Sequence, residues 1–133
     1  MRKAFLGLAA LLMLVVVAEF YFAASGAFGS YRPHHALGYV IFSLPLVMAA
    51  VAALGRLPRR LIGLSALVAG LTSVQVVIAK LALALGGSTG ALVFGLHAVS
   101  GLAIPAVAWL ILRDARTLPR PAAPAGGADL GEA

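Results

Sequence analysis

The sequence predicts an all-α membrane protein, a four-transmembrane-helix bundle with short loops and both termini cytoplasmic. Three observations carry this. Four apolar runs, about 4–24, 36–54, 61–85 and 91–112, fill most of the chain, and each is about long enough to cross roughly 30 Å of hydrocarbon at about 1.5 Å per helical residue. Of the 133 residues, 62% are hydrophobic and 11% charged. A soluble domain of this size could not hide that much apolar surface. Arg2, Lys3, Arg56, Arg59, Arg60, Arg113, Arg116 and Arg120 lie before the first run, between the second and third, or after the fourth. Only Arg32 falls in the opposite set of loops, which is the positive-inside pattern.

The first run leads outward from Arg2 and Lys3. It has a short basic start and small residues at Ala23, Ala24 and Ser25, as a secretory signal does. Its apolar stretch is too long for a signal, however, and Glu19, Phe20, Tyr21 and Phe22 are bulky where a cleavage site is small. It therefore reads as a first span. Residues 25–33 form an outer loop, broken by glycines and carrying Phe28 and Tyr31 at the interfacial aromatic belt. The second helix starts near His34 or His35 and returns inward. Residues 55–60 (Gly-Arg-Leu-Pro-Arg-Arg) form a tight cytoplasmic turn, in which the glycine ends one helix and the proline starts the next. The third helix goes out, and 86–90 (Gly-Gly-Ser-Thr-Gly) is the second outer loop, with Ser88 or Thr89 placed to cap the fourth helix. That helix ends near Trp109 and Arg113. Residues 1–120 are thus one transmembrane domain, and 121–133 are expected to be a disordered tail without periodicity or bulk.

Several functions are excluded. The chain has no cysteine, so disulfides, thiolate metal sites, covalent c-type haem and lipoprotein anchoring fall away. The net charge of +6 sits at helix ends as topological anchors near anionic lipid, which argues against a nucleic-acid partner. There is no phosphate-binding loop, no His-Glu-x-x-His zinc motif and no Gly-x-Ser-x-Gly elbow.

The polar residues inside the membrane are few, and each needs a reason, because an ionisable group at mid-bilayer costs about 2.5–3.5 kcal/mol to insert. They are Glu19, His34, His35, Gln75, Lys80 and His97. Counted from the basic anchors, Glu19 lies about 24 Å above Lys3, Gln75 about 22 Å above Arg60 and His97 about 24 Å above Arg113, so these three share a level. His35 and Lys80 lie higher, near the surface. Lys80 there suits an ammonium that snorkels to the headgroups. His34 reads as an interfacial polar residue.

A short pattern recurs in helices two and four. One has His35, Gly38 and Pro45; the other has His97, Gly101 and Pro105. The prolines free the carbonyls of Ile41 and Gly101 and are expected to bend both helices and widen the outer half of the bundle. Two imidazoles on facing helices suit the two axial positions of one b-type haem, with Gly38 and Gly101 admitting the flat macrocycle. Arg32 or Lys80 would then meet its propionates. An alternative needs no cofactor: Glu19, Gln75 and His97, with Lys80 above, form a polar network able to handle a proton or a small solute.

Fragments of the chain also resemble a known family. They are Phe22-Ala23-Ala24-Ser25-Gly26-Ala27-Phe28, His35-Ala36-Leu37-Gly38-Tyr39, Gly55-Arg56-Leu57-Pro58-Arg59-Arg60, Gln75 and Leu96-His97-Ala98-Val99-Ser100-Gly101. Together they resemble small bacterial four-helix membrane proteins of domain-of-unknown-function family 6220, and the likeness covers nearly everything except the tail. It implies membrane location and carries no activity. Ala98 and Ser100 stand where that family has Pro and Asn. More distantly, the two histidines are similar to those of haem-binding four-helix bundles such as b-type cytochromes and haem A synthase halves.

The expected function is that of a multi-pass protein of the bacterial cytoplasmic membrane with a polar site in the outer leaflet and no discrete enzymatic chemistry. Its most concrete form is electron transfer through one haem b on His35 and His97, with a quinone or redox protein as partner. The alternatives are a cofactor-free accessory subunit, packing through small-residue faces such as Gly63, Ala66 and Gly70, and a small proton- or solute-conducting homo-oligomer.

Overall fold

The computed structural model describes residues 1–118, so the tail expected at 121–133 lies outside them. The elements are α1 (Arg2–Gly26), α2 (Arg32–Leu54), α3 (Arg59–Leu85), α4 (Gly87–Gly101) and α5 (Ala103–Thr117). Four stretches are long and apolar enough to cross a membrane: α1, α2, α3 and the joined α4–α5, Gly87–Thr117. The chain is a multi-pass, four-helix membrane protein. Met1 lies against Gly55 at the α2–α3 turn, and Arg60 of α3 binds Asp114 of α5 at 3.0 Å. Both described ends of the chain therefore meet at one end of the bundle, called proximal below.

The apolar core fills the proximal half. On α1 it takes Phe5, Ala9, Leu12 and Val16, spaced three or four residues apart on one helical face. Ile41, Met48 and Ala52 of α2 and Leu61 and Val68 of α3 meet them, and α5 adds Ile104, Val107, Ala108, Ile111, Leu112 and Ala115. Outside this core the helices are covered with exposed Leu, Val and Phe, as a lipid-facing surface requires. Gly63, Ala66 and Gly70 lie exposed on one face of α3, and nothing comes within 4 Å of the space above either glycine.

The fourth span is broken where Pro105 removes an amide that would have bonded the Gly101 carbonyl. Around the break Leu102 N–H bonds the Val99 carbonyl at 3.2 Å, a three-residue step, and α5 starts at Ala103. Pro45, by contrast, is buried within a continuous α2. The break changes the packing. α5 rests on α1 and α3, but α4 rests on α3 and approaches neither α1 nor α2. Gly90 is the one buried residue of α4. The bundle is thus closed on its α1–α5 side in the proximal half and open on its α1–α4 side in the distal half.

One turn keeps to expectation and one departs from it. At the α2–α3 turn the helix does end at Gly55, its C-cap, but the left-handed residue is Arg56 (φ 50°) and not Gly55 (φ −79°). Leu57 N–H reaches the Ala52 carbonyl at 2.9 Å and Arg56 N–H the Ala53 carbonyl at 3.1 Å, so the helix closes in a Schellman pattern with Arg56 at the left-handed position. Gly55 serves a different purpose: a Cβ there would lie 2.7 Å from Met1 Cβ. At the α3–α4 turn, Ser88 and Thr89 do not cap the helix. α4 begins at Gly87, its N-cap is Gly86, and no side chain caps it. Gly86 (φ 60°) and Gly87 (φ 52°) take positive φ angles that reverse the chain almost at once. That leaves no room for the longer loop expected over 86–90.

Arg56→Gly is expected to stabilise the protein by about 0.5–1 kcal/mol by removing the side-chain penalty of left-handed backbone. Gly55→Val should destabilise it, because its branched side chain meets Met1. Reversible unfolding in mixed detergent micelles measures both.

Candidate functional site

The polar residues of the distal half come from four helices. Glu19 is on α1, one turn beyond the buried Val16. His34 opens α2, whose first turn holds Pro33 at a position that suits its fixed φ. Gln75 is one of three buried polar residues of α3, at 7% exposure, with Ser65 and Thr72. His97 and Ser100 face α3 from α4.

Gln75 is the centre of the cluster. Its carboxamide reaches across to α4 at the level of the helix break. With Oε1 toward the His97 carbonyl, two acceptors would face each other. The opposite orientation satisfies every partner: Nε2 donates to the His97 carbonyl at 2.7 Å, and Oε1 accepts from Gly101 N–H at 3.2 Å and from Ser100 Oγ at 2.8 Å. The His97 carbonyl and the Gly101 amide are the pair that a regular helix joins to each other. The side chain of Gln75 therefore supplies a second peptide-like group within that rung, a recognised way to bend a helix. Its backbone also takes part, since His97 Nδ1 lies 3.0 Å from the Gln75 carbonyl. In the same orientation Nδ1 also lies 3.1 Å from the Gln75 Nε2, so Gln75 engages Nδ1 from backbone and side chain, and the ring Nε2 is the nitrogen left for another partner. Phe94, one turn earlier on α4, stacks on the imidazole with centroids 5.2 Å apart and planes within 7°.

On the other wall, His34 Nδ1 lies 2.9 Å from Glu19 Oε1, both side chains being mostly covered. The two atoms are close but not aligned as a hydrogen bond: His34 Nδ1 has no partner in bonding geometry, and Glu19 Oε2 is buried with none at all. The His34 ring faces the His97 ring at 6.4 Å between centroids, nearly perpendicular to it. The backbones of α2 and α4 stay apart, so these side chains span the gap between them.

The other expected site residues fall differently. The structure does not bring His35 to His97. His35 is exposed and lies over Tyr31, with ring centroids 6.5 Å apart. One residue is about 100° of helical rotation, so only one of the two adjacent histidines can face inward, and it is His34. Gly38 and Gly101 do make room, though for protein groups. A Cβ at Gly38 would lie 3.7 Å from Glu19 Oε1, and one at Gly101 would lie 3.6 Å from the Gln75 amide oxygen position. Lys80 is exposed and makes no ion pair among the described residues. No group of three or more His, Asp or Glu side chains able to hold a metal ion occurs among the described residues. Sequence reasoning undervalued His34 and Ser100. The signal for His34 was spacing: it precedes Gly38 by four residues, as His97 precedes Gly101.

The model of a family of unknown function, DUF6220, matches residues 19–84, a stretch that begins at Glu19 and includes His34 and Gln75. Over that stretch, just under half of its length, the chain resembles DUF6220. No curated protein and no solved structure matches it. His97 and the break of the fourth span lie beyond the matched residues.

Gln75→Leu is expected to cost about 1 kcal/mol, within the range measured for side-chain hydrogen bonds between membrane helices. It should also release the His97 ring from its fixed orientation. Unfolding in mixed micelles measures the first effect, and the ring 15N resonances of His97 report the second.

Proposed function

We propose that this protein is a binding protein of the cytoplasmic membrane. Its site is the Glu19–His34–His97–Gln75 cluster, lying in the outer leaflet. The observation that carries this is the meeting of two unsatisfied atoms: Glu19 Oε2 is buried without a hydrogen-bond partner, and His34 Nδ1, 2.9 Å from Glu19 Oε1, is not aligned to bond it, whereas the third such atom among the described residues, Ser65 Oγ, stands apart on α3. Buried polar groups without partners are costly and are typical of places where a ligand completes the set. The positive-inside arrangement of the basic residues supports the outer placement. His97 fits the same reading, since its Nδ1 is held at the Gln75 carbonyl and its Nε2 is left for a further partner.

The site predicts a coupling between α1 and α2. Glu19→Gln should shift the ring 15N resonances of His34 and leave those of the exposed His35 unchanged. Selectively labelled protein in nanodiscs provides the measurement. Equal shifts at both histidines, or none at either, would show that Glu19 and His34 do not act together.

A second reading concerns iron. Anchoring Nδ1 to a carbonyl is how proteins hold an imidazole that ligates metal through Nε2, and the facing ring is His34. A b-type haem would then be held by His97 and His34 instead of His97 and His35, and would supply one-electron chemistry there. Protein purified from haem-replete cells would show a Soret band that persists in His35→Ala and is lost in both His34→Ala and His97→Ala. A colourless, folded protein rules this reading out and leaves the polar site in place.

A further inference from the structure

We infer that the proximal end of the bundle carries a binding site for the headgroup of an anionic phospholipid, built from Arg2 and Lys3 of α1 and Arg56 and Arg59 around the α2–α3 turn. The inference is independent of the distal cluster.

The basic residues at this end are unequally explained. Glu19 and Asp114 are the acidic residues among those described, and only Asp114 lies at this end. It takes two arginines: Arg60 Nε lies 3.0 Å from one of its oxygens, and Arg113 Nη2 lies 2.9 Å from the other. Arg116 stands in the last turn of α5, where the helix macrodipole favours a cation. Arg2, Lys3, Arg56 and Arg59 have neither explanation, and none of them makes an ion pair among the described residues. Arg2 and Lys3 open α1, and Arg59 opens α3. A helix start is where the macrodipole opposes a cation and favours an anion. Neither helix has an acidic residue in its first turn or a side-chain cap. Arg56 holds a left-handed backbone that glycine would adopt with less strain.

The fold sets these residues side by side. Met1 packs on Gly55, so the start of α1 adjoins the turn that holds Arg56 and leads into Arg59. Lys3, Arg56 and Arg59 are exposed and Arg2 is half-buried. Positive charge gathered at two helix starts without a protein counter-charge calls for an anion, and several basic donors suit the oxygens of a phosphodiester.

The phosphate is that of a lipid because the site adjoins apolar surface. Leu54, at 77% exposure, ends α2 just before Gly55 and Arg56, and Met1, at 67%, stands just before Arg2. A phospholipid covers such surface with its chains while its phosphate meets the arginines, whereas a soluble phosphate leaves it bare. The positive-inside pattern puts this end at the cytoplasmic leaflet, which is the anionic one. Topological anchoring alone makes a different demand: any cation at this end serves it, and no position is privileged.

The test titrates phosphatidylglycerol into phosphatidylcholine nanodiscs that hold the full chain, and follows the arginine side-chain 15Nε resonances. The Arg59 resonance of the wild type is expected to shift and saturate, half-complete when about one lipid in six is phosphatidylglycerol. That midpoint is a preference of about fivefold, the factor that one basic residue contributes beside an anionic surface. Arg56→Gly should move the midpoint several-fold toward higher phosphatidylglycerol, in a variant whose turn is relieved of strain and which therefore folds. Arg116→Gln, at the same end, should leave the midpoint where it is. The chain-free headgroup glycerophosphoglycerol, added at millimolar concentration to discs of phosphatidylcholine alone, should not move Arg56 or Arg59. An Arg59 shift that is absent or merely proportional to the lipid fraction overturns the inference. So does a midpoint unchanged in Arg56→Gly, or one moved as far by Arg116→Gln, which would mark diffuse attraction instead of a site. Movement of the two arginines by the soluble headgroup would show a site for free phosphates and overturn the assignment to lipid.

Discussion

A helix surrounded by lipid cannot break freely, because no water is present to take up the hydrogen bonds that a break releases. The fourth span breaks all the same, and it does so where Gln75 of α3 reaches the His97 carbonyl and the Gly101 amide. This single carboxamide, acting with Pro105, lets α4 part from the line of α5. The other features of the distal half follow from it. His97 is turned so that Nδ1 meets the Gln75 backbone, α4 stays clear of α1 and α2, and the gap to α2 is crossed by the His34 and His97 side chains only.

The two halves of the bundle divide the work. The proximal half is a closed apolar core knitted from α1, α2, α3 and α5, with Arg60 and Asp114 paired at its margin. The distal half contributes almost nothing to that core and holds the polar cluster. Such a division is physically reasonable for a small membrane protein. Packing in lipid is driven by close contact and not by the exclusion of water, so a bundle can leave one end loosely packed if the other end is well filled. The two glycines that face the cluster, Gly38 and Gly101, follow the same logic: each leaves room for the polar side chain of a neighbouring helix.

Much of this was legible in the sequence. The spans follow from run length, and the shared level of Glu19, Gln75 and His97 follows from counting residues along rods of fixed rise. Gln75 and His97 are in fact partners. The choice between His34 and His35 was not legible in the same way. Both stand at the mouth of the same helix, and which one faces inward depends on the rotation of α2 about its own axis, which neighbouring helices set. Nor did the sequence show that Arg56, and not Gly55, would take the left-handed position, because the demand on Gly55 comes from Met1, more than fifty residues away. The two prolines looked equivalent, yet only Pro105 accompanies a break. The difference is the partner: Gln75 bonds α4 at that break.

By itself the sequence determined that this chain is a four-span membrane protein and which residues had to be justified inside the bilayer, since hydrophobic length and charge placement are properties of the chain alone. Tertiary structure decided which of those residues meet, which histidine turns inward and where the bundle opens. These depend on helix rotation and on contacts between helices distant in the chain, and no local pattern of residues encodes either.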